Sequence, residues 1–81
     1  MSNKVIVYSQ TTCAPCQVVK NFLKSEDVDF TEININEQPE QIELAGITST
    51  PTTVLVDEEG EELVRVHGTD FEAIEELLEN L

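Results

Sequence analysis

The sequence predicts an α/β fold: a four-stranded mixed sheet with three helices, in the order β-α-β-α-β-β-α. Three observations predict it. In the first half of the chain, apolar runs suited to strands alternate with stretches of helical spacing. Two β-branched runs then follow one another across a short turn that contains glycine. The chain closes on a helical stretch headed by a capping signal. At 81 residues this is one domain, residues 1–81, near the small end of what folds alone. An apolar fraction of 40% is enough for one modest core.

Val5 to Tyr8 is a continuous apolar run without alternation, which suits a central strand covered on both faces. A polar link, Ser9-Gln10-Thr11-Thr12, leads to Cys13-Ala14-Pro15-Cys16. Val19, Phe22 and Leu23 then fall at i, i+3 and i+4, so a helix is predicted to about Ser25. Glu26 to Asp29 is a polar break. Phe30, Ile33 and Ile35, with polar residues between them, form a second strand, parallel to the first through a right-handed crossover. Asn36 is the expected N-cap of a short second helix, with Pro39 in its first turn. Ile42, Leu44 and Ala45 give that helix its apolar positions, and Gly46 stops it. After the loop Ile47 to Pro51, Thr52 to Val56 is a β-branched strand. Asp57-Glu58-Glu59-Gly60 turns the chain, and Glu61 to Val66 pairs back as a hairpin. Thr69 to Glu72 reads as a capping box with Thr69 at the N-cap. The last helix should present Phe71, Ile74, Leu77, Leu78 and Leu81 on one face, and helices should cover both faces of the sheet.

The chemistry lies in Cys13 and Cys16, the only two cysteines. The pattern puts them where a strand hands over to a helix. The free N–H groups and the positive dipole end of a helix's first turn favour an anion, so a thiolate is stabilised there. Reactivity follows the thiolate. The first sulfur faces solvent, and the second turns toward the helix, placed to resolve a mixed disulfide. A purely structural disulfide across so short a loop would restrain little chain entropy. A zinc site wants about four ligands, whereas the only histidine is the distant His67. No metal site within one chain is therefore expected. A dithiol switch, or a metal or iron–sulfur clip shared between two chains, stays open as the alternative to a redox dithiol.

Seventeen acids stand against Lys4, Lys20, Lys24 and Arg65, a net charge of −13. That disfavours nucleic acid and anionic membranes as partners. No run reaches membrane-spanning length. The stretch after Met1 does not read as an export signal, so a reducing cytoplasm is the expected compartment. His67 reads as a solvated strand end and Tyr8 as core packing. Lys20 and Lys24 follow the dithiol on the helix, as surface charges or substrate contacts.

The element order, with the Cys-x-x-Cys pair opening the first helix and Thr50-Pro51 opening the third strand, resembles the thioredoxin-like fold. Val7-Tyr8-Ser9 ahead of Thr12-Cys13-Ala14-Pro15-Cys16 resembles the glutaredoxin opening, and the likeness covers essentially the whole chain. It implies Cys13 as nucleophile, Cys16 as resolving residue, and a cis peptide bond before Pro51 with Thr50 offering its backbone to substrate. Gln10, Thr12, Thr69 and Asp70 join Thr50 and Pro51 as expected substrate-binding residues. There are departures. Many glutaredoxins carry lysine at Gln10 and Pro-Tyr between the cysteines. Pro15 before the second cysteine, and Val54-Leu55-Val56-Asp57 with Gly60, are more thioredoxin-like. The Gly-Gly-x-Asp glutathione element is half present as Gly68-Thr69-Asp70, with His67 in place of the first glycine; Thr69 and Asp70 read more simply as the last helix's cap. Redoxins that serve ribonucleotide reductase are a similar mixture. The expectation is a monomeric protein-disulfide reductase with no cofactor beyond its own redox-active disulfide. Its electron donor would be thioredoxin reductase or glutathione, with thioredoxin reductase favoured and a Cys13 pKa near ~7.

Overall fold

The computed structural model describes residues 3–81. Its elements are β1 (Lys4–Ser9), α1 (Ala14–Ser25), β2 (Phe30–Asn34), α2 (Glu40–Leu44), β3 (Thr52–Val56), β4 (Glu62–His67) and α3 (Phe71–Leu78). The sheet order is β2-β1-β3-β4. β1 is central, parallel to β2 and antiparallel to β3, and β3 pairs antiparallel with β4. A parallel β1–β2 pair needs a crossover, and α1 supplies it. The order of elements, the mixed sheet and the three helices are those predicted.

Alternation along each strand divides the core into two layers. Val5, Val7, Leu55 and Val66 face α1 and α3, where they pack with Val19, Leu23, Ile74 and Leu77. Phe22 and Phe71 stack at 4.8 Å between ring centroids and join the two helices above this layer. On the other face Tyr8, Val54 and Val56 pack with Ile47, with Ile6, Ile33, Ile35 and Ala45 around them. Every residue of β3 is buried, as befits a strand covered on both sides. Leu23, Leu55, Ile74 and Leu77 are fully buried, each contributing about 1.5–3 kcal/mol through removal from water.

Four local expectations are corrected. α3 begins one residue later than the capping box implied. Asp70, not Thr69, is the N-cap, and its carboxylate accepts from the Ala73 N–H at 3.1 Å. Gly68, at φ +72°, turns the chain so that Asp70 arrives at the cap, where an anion also meets the helix dipole. α2 has Pro39 as its N-cap and no side-chain cap. Asn36 instead uses its Oδ1 to accept from the Thr11 N–H at 2.7 Å, tying the loop after β2 to the loop after β1. Leu81 lies beyond α3 and is 56% exposed, so only Ile74 and Leu77 of the proposed face are fully buried. β4 is displaced by one residue, since Asp57 Oδ1 holds both the Glu59 and Glu61 N–H groups in the turn.

Arg65 fastens β4 to the end of α2. Its guanidinium donates to the Ala45 and Gly46 carbonyls and to the Glu62 carboxylate. These carbonyls, left without helical partners, are natural sites for a cation.

Candidate active site

The first residues after a strand have no ladder to hold them, so the link from β1 to α1 is fixed by other means. The Ser9 carbonyl accepts from the Ile35 N–H at 2.8 Å, and Thr11 is held by Asn36. Ser9 Oγ, buried, donates to Glu32 Oε2 at 2.8 Å. Lys20, on α1, reaches the same oxygen at 2.8 Å. These contacts set the height and direction of α1 relative to the sheet, and therefore of the two cysteines at its start.

Cys13 is the N-cap of α1, with extended backbone. Its sulfur accepts from the Cys16 N–H at 3.2 Å, one of the donors that a helix start leaves unpaired. The two cysteines form a disulfide with 5.2 Å between their Cα atoms. Cys13 is half-buried, whereas Cys16 is 1% exposed. Pro15 sits in the first turn, where its missing N–H costs no hydrogen bond.

The loop before β3 completes the site. The Thr50–Pro51 peptide bond is cis, as the resemblance implied, and Pro51 is buried. Thr50 Oγ1 lies 3.8 Å from Cys13 Sγ and accepts from Gln10 Nε2 at 2.6 Å. The Gly68 N–H donates to the Pro51 carbonyl at 2.8 Å, which brings the β4–α3 turn alongside.

Gln10, Cys13, Cys16, Thr50 and Pro51 are thus brought together. Thr12 is exposed in the loop beside Cys13. Thr69 is exposed in the adjoining turn, and the Asp70 carboxylate is engaged with the helix it caps. Tyr8 packs in the α2-side layer, where burial pushes its phenol pKa up. Lys20 is turned to Glu32; hydrogen bonds from Lys20 and then Ser9 hold that carboxyl below its usual range. His67 ends β4, exposed. Sequence reading assigned Thr50 through its backbone and missed its side chain, and it missed the Asn36 tie altogether. Both contacts join residues far apart in the chain, and no local pattern announces them.

The charge around the dithiol is as informative as the contacts. Segments 9–19, 45–56 and 66–69 build most of this end of the molecule, and none of the three contains Asp, Glu, Lys or Arg, although the chain carries 21 such residues; the Asp70 carboxylate, bound to the Ala73 N–H, stands at its margin. The face is instead rich in hydroxyl and amide side chains, with Ala14, Pro15 and Val18 exposed among them. Chemically, the arrangement offers one accessible sulfur with converging donors, a second sulfur behind it, and a neutral surface for a docking chain.

Comparison with known proteins agrees with this geometry. The glutaredoxin family model matches residues 5–59. The SPbeta prophage-derived thioredoxin-like protein YosR of Bacillus subtilis is 31% identical over 78 residues, covering 96% of this chain and 98% of that one. The glutaredoxin-like protein NrdH of Lactococcus lactis is 49% identical over 39 residues, covering 48% of this chain and 54% of that one. Among solved structures, thioredoxin NaTrxh from Nicotiana alata superposes with a TM-score of 0.82 at 26% identity, covering 96% of this chain and 71% of that one.

Proposed function

The chain belongs to the glutaredoxin family, within the thioredoxin fold, and on that premise we propose that this thiol–disulfide redoxin reduces protein disulfides with electrons from a flavoprotein thioredoxin reductase. The Cys13 thiolate attacks one sulfur of the substrate disulfide. A Cys13–substrate disulfide forms and the other substrate sulfur leaves as a thiolate. The Cys16 thiolate then attacks Cys13 Sγ, the second substrate sulfur leaves, and the Cys13–Cys16 disulfide remains. Two electrons pass to the substrate, and the reductase restores the dithiol. No organic cofactor takes part. The redoxin would act as a cytoplasmic, single-domain monomer that supplies a reductive enzyme such as ribonucleotide reductase.

The observation that carries the choice of donor is the uncharged dithiol face inside a strongly negative molecule. Glutathione is an anion. The field of the whole protein slows its approach, Gln10 offers no cation at the face, and the Asp70 carboxylate is already committed to α3. A protein partner needs no such cation, since it can dock through backbone hydrogen bonds and apolar contact beside Pro51. The test is to supply the oxidised protein with NADPH and either thioredoxin reductase or the glutathione system, at low and moderate salt. Reduction by thioredoxin reductase is expected to be the faster. Fast reduction by glutathione with none by thioredoxin reductase would overturn the donor. Failure to reduce any protein disulfide, with metal co-purifying on a dimer, would favour a shared clip instead.

A further inference from the structure

Two donors converge on the Cys13 sulfur, and only one of them belongs to α1. The Cys16 N–H approaches from the helix side. From the loop before β3, the Thr50 hydroxyl lies 3.8 Å away, and because Cys13 Sγ is in a disulfide and carries no proton, the hydroxyl is the atom that can donate. Gln10 orients that hydroxyl. Its Nε2 stands 2.6 Å from Thr50 Oγ1, and an amide nitrogen only donates. The Thr50 oxygen is therefore an acceptor toward Gln10, which leaves its single proton to be given elsewhere. Among the contacts of Thr50 Oγ1, Cys13 Sγ is the one that can take it.

We propose that Gln10 is a positioning residue for the Cys13 thiolate, acting through the Thr50 hydroxyl. This rests on the reading of Cys13 as the attacking sulfur. A free hydroxyl rotates to suit its surroundings. Held by Gln10, the Thr50 hydroxyl is oriented, and accepting one hydrogen bond strengthens the one it donates. A thiolate is a far better acceptor than a disulfide sulfur, so the chain Gln10–Thr50–Cys13 favours the reduced, ionised state that attacks. No charged side chain in segments 9–19 or 45–56 competes with this dipolar chain. It offsets part of the penalty that the molecule's negative field places on an anion at Cys13.

The orientation of the Gln10 amide makes the proposal sharp. With the nitrogen toward Thr50, loss of Gln10 raises the Cys13 pKa. With the oxygen toward Thr50, the hydroxyl proton would point away from Cys13, and loss of Gln10 would lower it. The experiment uses the Cys16→Ser protein, in which Cys13 is the only thiol, and follows thiolate absorbance and iodoacetamide alkylation against pH. Thr50→Val should raise the Cys13 pKa by about one unit, the scale of a hydrogen bond to a charged group. Thr50→Ser should restore it. Gln10→Met should raise it by a smaller amount, and should add nothing in the Thr50→Val background. Thr50→Ala serves if the valine variant does not fold. An unmoved titration in Thr50→Val or Thr50→Ala, a lowered pKa in Gln10→Met, or a Gln10→Met effect that survives loss of the hydroxyl would overturn the proposal. Failure of the wider reading shows separately: the parent Cys16→Ser protein would then form no mixed disulfide with a protein substrate.

Discussion

Cys13 and Cys16 are the same residue three positions apart, yet their surroundings differ enough to separate their roles. Cys13 is partly exposed, at a helix N-cap, with a backbone N–H aimed at its sulfur. Cys16 is one turn inside and closed off from water. Burial raises a thiol's pKa and a helix start lowers it, so the first sulfur should ionise first. Cys13→Ser is expected to abolish disulfide reduction, and Cys16→Ser to accumulate mixed disulfides on non-reducing gels. The two variants also separate by alkylation at low pH, which Cys16→Ser should keep and Cys13→Ser should lose. The opposite pattern would exchange the assignments. At this scale the cysteines were legible because their spacing is local. The Thr50 hydroxyl on Cys13 and the Asn36 carbonyl on Thr11 were not, since they bridge 37 and 25 positions and depend on how separate loops meet.

At the scale of elements, Glu32 does more than its place on an edge strand suggests. It lies on β2, takes hydrogen bonds from Ser9 at the end of β1 and from Lys20 on α1, and so pins three elements at one point. Those bonds lower its pKa from the ordinary 4.5, with the Lys20 bond the largest cause and the Ser9 bond next. The carboxylate is therefore favoured in the folded state. Its contribution is fully present above the unfolded value of 4.5 and is lost as pH falls through the lower folded value. Both partners are partly exposed, at 17% and 40%, so the pair is worth at most about 1 kcal/mol. The melting temperature of Glu32→Gln should fall below that of the parent at neutral pH, and the gap should close well below pH 4.5. A gap that persists unchanged into acid would assign it to packing instead. Element order and most boundaries were legible because apolar periodicity is dictated by the same core that the elements build. Caps were less so. Thr69 and Asp70 are both good N-caps in isolation, and the turn at Gly68 selects between them. Asn36 is a good cap that found a better use across the molecule.

For the whole molecule the governing quantity is charge. A net −13 is carried on a body of 30 × 27 × 17 Å. At about 0.01 M salt the screening length is roughly 30 Å, so each acid interacts with nearly every other; near 1 M it is about 3 Å, and only touching charges do. Unfolding moves the acids apart, so their repulsion weighs against the folded state at low salt. Salt also weakens the bridges Lys20–Glu32 and Arg65–Glu62, which acts in the opposite direction. Each such surface pair contributes about 0–1 kcal/mol, and these pairs oppose a repulsion shared among seventeen acids. The repulsive term should win. Sodium chloride is the salt to use, because sulfate would strengthen apolar burial by its own route and blur the cause. The melting temperature of the oxidised protein should therefore climb from low to molar sodium chloride, with most of the rise complete once the screening length drops below the spacing of neighbouring acids. A flat or falling curve would mean that acid repulsion is not what limits this fold. The three uncharged segments around the dithiol would then have to be explained by docking alone, without any need to keep charge away from Cys13.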